Sequence, residues 1–379
     1  MISCGEPSGD LYAALLAREI LRAEPDAVIT GFGGEHLRAA GGRLLGDFSG
    51  LSVTGLVEVA RVLPRTYAIY RRLIADARAN PPDVLVALDF PDFNFRLAGA
   101  VRRLGVPVVY YISPQLWAWR PGRMKTMKRI ADRVLVIFPF EEDIYRQAGV
   151  PAEWVGHPLL DHLPAPEPRE RIRARLGAGA EAPLVALLPG SRANEVREIL
   201  PDLTRAAAII RSRMDDVQFV VARAPHLDES LFAPLRMLTG ARPIVVDGMA
   251  DEALAAADIA LLASGTVTVQ AALHECPMVV VYRLAPLTYR LGKPFVRVHT
   301  YAMANLVAGR RVVPELIQDA FTPEAVASAA LQILTNPARA SQTRADLREV
   351  RARLGSAGAS ERAARAVLAT ARAGIGRLG

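Results

Sequence analysis

The chain has 379 residues, of which 51% are hydrophobic and 22% charged. This length exceeds what one ordinary core organises and predicts two domains. No run approaches the ~18 uninterrupted apolar residues that a membrane-spanning helix needs, so the composition excludes an integral membrane protein. No basic segment followed by an apolar stretch opens the sequence, which predicts a cytoplasmic protein.

The formal net charge is +7, and nearly all the basic residues are arginine. This excess suits phosphorylated substrates or an anionic membrane surface. Nucleic acid is not expected as a partner, because there is no basic tail, zinc finger or RNP-type aromatic motif. The chain has two cysteines, Cys4 and Cys276, far apart and without metal-ligand spacing, so neither a metal nor a cofactor is expected.

Short β-rich runs alternate with helical stretches along the whole chain. Strands are predicted at residues 28–33, 84–88, 106–112, 134–137, 184–188, 218–222, 244–246, 259–262 and 278–282. The alternation predicts an α/β protein with two doubly wound, Rossmann-like parallel-sheet domains facing across a cleft. Proline-rich residues 163–168 mark the boundary, which gives domains at 1–163 and 164–345 and a helical segment at 346–379 that could pack back on the first domain.

The first loop, residues 5–10, follows a very short apolar start and precedes a helical stretch. Ser8 and Asp10 can cap that helix or bind a polyol. Only residues 1–4 remain for a first strand, so we expect the natural start of the protein to lie upstream.

Asp89 follows the continuous apolar run 84–88, so it is expected at the carboxyl end of a buried strand. A carboxylate beside apolar neighbours there can act as a general base. Asp92 is assigned to capping the next helix, although a plain turn aspartate remains an alternative for both.

Residues 113–123 combine two tryptophans with two arginines in one loop. Indole faces and guanidinium forks together suit an amphiphilic anionic substrate, although tryptophans also pack beneath loops. Residues 61–74 mix arginines with aromatic and aliphatic residues, which is typical of an amphipathic helix at a membrane surface. Tyr67, Tyr70 and Ile74 at helical spacing equally fit a core-facing stripe.

In the second half, Leu188-Pro-Gly-Ser-Arg192 ends an apolar strand and opens a helix. Such a turn aims free N–H groups and a helix dipole at one point, where Arg192 adds further donors, and this predicts an anion site. Neither a Walker loop nor a G-x-G-x-x-G turn occurs. The N–H groups of Gly265 and Thr266, after the strand at 259–262, would make a second phosphate contact on the same edge.

Six motifs stand in order along the chain: G-E-P-S-G-D at 5–10, D-F-P-D-F-N at 89–94, S-P-Q-L-W-A-W-R at 113–120, L-P-G-S-R at 188–192, A-S-G-T at 263–266 and N-L-V-A-G-R at 305–310. Together they resemble lipid-A-disaccharide synthase. The resemblance runs from the first loop to about Phe321. It implies an inverting, metal-independent glycosyltransferase of the two-domain B-type (GT-B) fold, at the cytoplasmic face of the inner membrane of a Gram-negative bacterium. The implied donor is UDP-2,3-diacylglucosamine and the implied acceptor is 2,3-diacylglucosamine 1-phosphate (lipid X).

The resemblance also implies residue roles. The implied catalytic residues are Asp89, as general base, with Ser8 and Asn305. The implied donor residues are Ser191, Arg192, Gly248, Met249, Ser264, Gly265, Thr266 and Gln270. Residues expected on the acceptor and lipid side are Glu6, Asp10, Trp117, Trp119, Arg120 and Arg123. Gln270 departs from the family, which usually has a ribose-binding glutamate there, so Gln270→Glu is expected to raise donor affinity.

Three alternatives stay open at this point. The same scaffold carries UDP-N-acetylglucosamine 2-epimerases and other sugar transferases, and a nucleotide-sugar or lipid-binding protein without turnover would keep most of these loops. The oligomeric state is also open, and a homodimer is one arrangement the sequence allows.

Overall fold

The computed structural model describes residues 1–48, 56–119, 121–238, 242–283 and 300–375. The chain divides into two compact units. The first unit combines Met1–His162 with Leu354–Gly379, and the second is Leu163–Arg353.

The first unit is built on a parallel sheet whose seven described strands run in the order β3-β2-β1-β4-β5-β6-β7. The strands are β1 (Ile2–Cys4), β2 (Thr30–Gly33), β3 (Arg43–Asp47), β4 (Leu85–Leu88), β5 (Val108–Tyr111), β6 (Arg133–Val136) and β7 (Ala152–Trp154). Every residue of β4 and β5 is buried. Helices cover both faces of such a sheet, which is why its central strands read as unbroken apolar runs.

The helices of the first unit connect these strands and close the chain. They are α1 (Pro7–Ala23), α2 (Glu35–Ala39), α3 (Leu56–Ala79), α4 (Pro91–Arg102), α5 (Leu116–Trp119), α6 (Met124–Ile130), α7 (Pro139–Gln147), α8 (Leu159–His162) and α16 (Ala359–Ile375). One core cluster joins sheet residues such as Leu85 and Val108 to helix residues such as Leu73 and Leu97.

The second unit repeats the architecture, with six described strands in the order β10-β9-β8-β11-β12-β13. The strands are β8 (Leu184–Leu188), β9 (Gln218–Arg223), β10 (Ile244–Asp247), β11 (Ile259–Ala263), β12 (Met278–Tyr282) and β13 (Glu315–Ile317). The helices are α9 (Arg169–Leu176), α10 (Ala193–Arg211), α11 (Ala250–Ala256), α12 (Thr266–Leu273), α13 (Met303–Ala308), α14 (Pro323–Leu334) and α15 (Pro337–Arg353). The two parallel-sheet α/β units confirm the predicted fold class.

The chain returns to the first unit at its end. Helix α16 packs on α1, and the carboxylate of Asp161 accepts the N–H groups of Gly358 and Ser360 at 2.6 and 2.7 Å, capping the start of α16. The returning segment begins at Leu354 rather than at residue 346, because α15 packs on α13 and α12 of the second unit.

Candidate functional site

Parallel pairing brings four loops of the first unit to one edge of its sheet. Cys4 pairs with Leu88, Leu88 with Tyr111, and Tyr111 with Leu135. The segments that follow β1, β4, β5 and β6 therefore lie side by side at the carboxyl ends of the strands, where ligands bind in open α/β sheets.

Asp89 lies at this edge in an unusual backbone conformation. Asp89 and Phe90 have φ of 40° and 47°, in the left-handed region that non-glycine residues seldom adopt. The carbonyl of Asp89 accepts hydrogen bonds from Asn94 Nδ2 at 2.8 Å and Tyr110 Oη at 2.8 Å, and its N–H donates to Ile112 at 3.2 Å. Strain held by several partners in this way is a recurrent feature of functional turns.

The first loop packs against the Asp89 turn. Ser3 Oγ donates to Asn94 Oδ1 at 2.6 Å, which ties β1 to the start of α4. A Cβ added to Gly5 would lie 2.4 Å from the ring of Phe90, so only glycine allows this approach. The two motifs, 84 residues apart in the sequence, therefore form one surface.

Asp10, expected on the acceptor side or as a cap of α1, does not cap α1. Its buried carboxylate accepts the N–H groups of Gly34, His36 and Leu37 at 2.7, 2.8 and 3.2 Å, so it caps the neighbouring helix α2. Ser8 lies inside the first turn of α1, whose N-cap residue is Glu6, and no side chain caps this helix. Of the two alternatives open for Ser8, capping of α1 is therefore wrong, and both Glu6 and Ser8 lie in the segment that follows β1 at the sheet edge.

Trp117 stands on α5 with a defined partner. Its Nε1 donates to Glu141 Oε1 at 3.2 Å, and its ring meets Phe140 edge-on with 5.2 Å between centroids. Burial raises the pKa of the Glu141 carboxyl to about 7, although the hydrogen bonds from Trp117 and Phe138 act in the other direction. Glu141 follows β6 and lacked a motif in the sequence, so its place at this edge emerges only from the fold.

The remaining residues predicted on the acceptor side are Arg123, Trp119 and Arg120. Arg123 donates to Asp92 Oδ1 at 2.6 Å and lies over the ring of Phe95, so part of its capacity serves the loop itself. Asp92 lies within the first turn of α4 and does not cap it, because Phe90 is the N-cap residue. Arg120 and the side chain of Trp119 lie outside the described part of the chain.

In the second unit, two turns meet at one sheet edge. Leu188 pairs with Leu262, so the turn 189–192 after β8 lies beside the turn 263–266 after β11. Ser264 Oγ donates to the carbonyl of Tyr301, and Gly265 and Thr266 are exposed at the start of α12. Gly248 and Met249 follow β10 farther along the same edge.

The N–H groups of the turn 189–192 are not free, as the sequence-based prediction assumed. Glu195 Oε2 accepts the N–H groups of Ser191 and Arg192 at 3.2 and 3.3 Å, and Glu195 Oε1 accepts from Arg192 Nη1 at 3.2 Å. On the other side of the turn, His226 Nε2 donates to the carbonyl of Ser191 at 2.9 Å. Neither Glu195 nor His226 was assigned a role from the sequence, although a glutamate three residues after a helix N-cap is a known capping signal.

Gln270 has a carboxylate beside it. Its Nε2 lies 3.4 Å from both carboxylate oxygens of Asp251, which also accepts from His274 Nε2 at 2.9 Å. Asp251 is in the first turn of α11, and its side chain is 22% exposed. The acidic group that the sequence lacks on α12 is therefore present on the adjacent helix.

The side-chain amide of Asn305 holds the segment 312–315 that follows its own helix. Asn305 is buried, its Oδ1 accepts the N–H groups of Val312 and Val313 at 2.7 and 2.9 Å, and its Nδ2 donates to Val313 O and Glu315 Oε1 at 3.0 and 2.6 Å. These four bonds use the full capacity of an amide. Glu315 in turn accepts the N–H of Tyr301, whose carbonyl holds Ser264. Asn305 is therefore linked to the 263–266 turn through Glu315 and Tyr301.

The described part of the chain lacks two features that would point to a different kind of site. No helix there is both long and apolar enough to cross a membrane. No cluster of three or more His, Cys, Asp or Glu side chains suited to a metal ion occurs within the same ranges.

Comparison with known proteins agrees with the motifs. A family model described as lipid-A-disaccharide synthetase matches residues 1–370. The lipid-A-disaccharide synthase of Myxococcus xanthus is 44% identical over 368 residues, covering 97% of this chain and 96% of its own length. That of Geobacter metallireducens is 43% identical over 371 residues, with the same coverages.

Solved structures share the fold at low sequence identity. A putative UDP-N-acetylglucosamine 2-epimerase from Listeria monocytogenes aligns with a TM-score of 0.63 and 15% identity, covering 100% of this chain and 96% of its own. The calicheamicin glycosyltransferase aligns with a TM-score of 0.59 and 18% identity, covering 100% and 98%. At this identity the likeness concerns the fold alone, which transferases and epimerases share.

Proposed function

The chain belongs to the lipid-A-disaccharide synthase family, and we propose that the two sheet edges divide this family's reaction between them. The enzyme is a glycosyltransferase that joins UDP-2,3-diacylglucosamine to 2,3-diacylglucosamine 1-phosphate. The products are the β-1,6-linked disaccharide 1-phosphate and UDP. The epimerase structure is only 15% identical and shares the fold alone, whereas the synthase of Myxococcus xanthus is 44% identical over 97% of this chain.

The first unit supplies the base and binds the acceptor. The acceptor's 6-hydroxyl oxygen attacks the donor's anomeric carbon, its proton passes to the Asp89 carboxylate, and the bond from that carbon to the UDP oxygen breaks. The observation that carries this role is the backbone of Asp89, held in the left-handed region by Asn94, Tyr110 and Ile112. A general base is judged first by its geometry and only then by its pKa, and a fixed backbone supplies that geometry. Trp117, supported by Glu141, offers an apolar face on the same edge.

The second unit binds the UDP part of the donor. As the glycosidic bond breaks, negative charge builds on the diphosphate, and Arg192 with the N–H groups of Ser191, Gly265 and Thr266 would stabilise it. Helix starts and a guanidinium thus perform the task that a metal ion has in other transferases. Ser264, Gly248 and Met249 complete the donor side.

Asp251 is our candidate for the ribose acceptor. In the family a glutamate on the helix after A-S-G-T usually accepts the ribose hydroxyl hydrogens, and here Gln270 occupies that position. The carboxylate of Asp251 lies 3.4 Å from the Gln270 amide nitrogen and is held by His274. A charged hydrogen-bond acceptor is therefore available beside Gln270, the position at which the family usually has the glutamate.

We also propose peripheral association with the cytoplasmic face of the inner membrane through α3. Leu63 and Tyr67 are 55% and 62% exposed, and exposed Arg71 and Arg72 lie on the same helix. Ile74, in contrast, is part of the core. Apolar side chains with cations on one helix suit an anionic lipid surface. A homodimer stays a prediction, which light scattering of the purified protein would test.

The test is an assay of the purified protein with both lipid substrates, with products identified by mass spectrometry. Wild type should release UDP and disaccharide in equal amounts. Arg192→Ala should lower kcat by about 10²-fold, the usual effect of removing one oxyanion donor, while the KM for the acceptor changes little. UDP release without disaccharide would refute the transfer reaction. If Arg192→Ala changed mainly the KM for the acceptor, the proposal that Arg192 binds the donor's diphosphate would be wrong.

A further inference from the structure

The carboxylate of Glu195 binds to the turn at residues 189–192 and places a negative charge there. Its carboxylate receives two backbone N–H groups and one guanidinium N–H, with donor–acceptor distances of 3.2 to 3.3 Å. Its side chain is only 11% exposed, whereas that of Arg192 is 33% exposed. The three donors thus converge on one anionic group, as they would around a phosphate oxygen pair.

The donor's diphosphate would need these same donors. A carboxylate and a phosphate cannot both accept from one N–H with good geometry, and two like charges at that distance repel. We propose that Glu195 is an internal anion that competes with the diphosphate for the Ser191–Arg192 turn and must rotate away when UDP or the donor binds. This inference rests on the proposed function of the turn.

The turn has other supports that would keep its shape when Glu195 leaves. His226 holds the carbonyl of Ser191 at 2.9 Å from a different loop. Strand β8 is paired on both sides, with β9 and β11. Gly190 has φ of 125°, and a Cβ there would lie 2.6 Å from Glu195 Oε2, so glycine is what lets the carboxylate lie over the turn.

The exchange of one anion for another has a consequence for turnover. Arg192 and the two N–H groups keep a negative partner before the donor binds and after UDP departs, so product release does not leave an uncompensated cation. Glu195 should therefore weaken UDP binding and speed UDP release. A residue that merely positioned Arg192 would do the opposite, because its loss would weaken UDP binding.

The experiment is calorimetric titration of the full-length protein with UDP and with uridine. In Glu195→Gln the amide oxygen can still accept the turn N–H groups, but the competing charge is gone. We expect UDP to bind roughly tenfold more tightly, the scale of one charge-assisted hydrogen bond, with uridine binding unchanged. Glu198→Gln removes an exposed charge one turn later on α10 and should change UDP affinity less than about twofold.

The outcomes separate the alternatives. Unchanged or weaker UDP binding in Glu195→Gln would overturn the proposal, as would an equal gain in Glu198→Gln, which would indicate general charge only. If the Gln variant unfolds, a crystal structure of the wild type with UDP decides: Glu195 Oε2 should lie beyond about 3.5 Å from both N–H nitrogens, and retained contacts beside bound UDP refute displacement. If Arg192→Ala binds UDP as wild type does, the diphosphate assignment itself fails, independently of Glu195.

Discussion

The two units share a strand topology but present different chemistry at the same sheet edge. In both, the first strand is central and the chain crosses to the far side after three strands. The edge of the first unit carries acidic and aromatic side chains, namely Asp89, Glu141 and Trp117. The edge of the second carries Arg192 and glycine-containing turns at helix starts. The scaffold determines where a ligand binds, and the residues just beyond each strand determine which ligand it is.

The largest effect expected from the difference between the two units is at Asp89, in the first unit. Asp89→Asn should lower kcat by about 10²- to 10⁴-fold, the usual contribution of a general base, while leaving the fold intact. Asparagine is the suitable replacement because it tolerates positive φ. Disaccharide formation under saturating substrates measures the effect. Asp92→Asn changes an exposed neighbouring carboxylate, is the matched control and should retain activity within about twofold. Equal losses of activity in the two variants would refute the assignment of Asp89 as the general base.

Glu141 makes the stability of the first unit depend on pH. Its folded pKa of about 7 lies above the ordinary 4.5, so the folded state holds this proton more tightly than the unfolded chain does. The resulting stability is fully present below pH 4.5 and is lost as pH rises to about 7, a change of roughly 3 kcal/mol.

Glu141→Gln should therefore gain stability relative to wild type across this window. Urea unfolding at a series of pH values measures the difference. Glu142→Gln, the next residue of α7, should run parallel to wild type. Parallel curves for Glu141→Gln as well would mean that the carboxyl titrates normally.

A substitution at Asn305 tests whether this side chain supports the structure of the second unit or takes part in the reaction. Asn305→Ala leaves two buried N–H groups unsatisfied and removes the hydrogen bond to Glu315, so the free energy of unfolding should fall by about 2 kcal/mol. Activity per folded molecule should fall less, because Asn305 reaches the 263–266 turn only through Glu315 and Tyr301. Full stability with activity lost would restore a catalytic role.

The smallest expected effect concerns Gln270. The sequence alone led us to expect that Gln270→Glu raises donor affinity, but the structure sets this side chain 3.4 Å from the Asp251 carboxylate. Two carboxylates there repel, so we now expect UDP affinity to fall about threefold. The exchange Asp251→Asn with Gln270→Glu should restore it. Titration with UDP and 2′-deoxy-UDP checks whether Asp251→Asn alone abolishes the preference for the ribose hydroxyl; a preserved preference would exclude Asp251.

Apolar periodicity predicted much of the fold. The runs 84–88 and 184–188 are continuous and apolar, and they became the central strands β4 and β8. The sequence did not predict β3, β7 and β13, the outermost strands on three sides of the two sheets, because each is short, only partly buried and contains charged residues. Such strands form where a neighbouring strand offers hydrogen bonds, and their own sequence signals this weakly.

The family and the two-domain organisation could be inferred from the amino-acid sequence, because ordered motifs and repeated strand–helix alternation are properties of the linear chain. The sequence also placed Asp89 and the turn that contains Arg192 at sheet edges, since each follows a recognisable buried strand. Which polar groups meet depends on how the elements pack in three dimensions. Asp10 caps α2, Asn305 supports a loop, Asp251 stands beside Gln270, and His226 holds the turn that Glu195 fills. Most of these contacts join residues far apart in the chain or on different elements, so their partners follow from strand order and helix packing and cannot be read from local spacing.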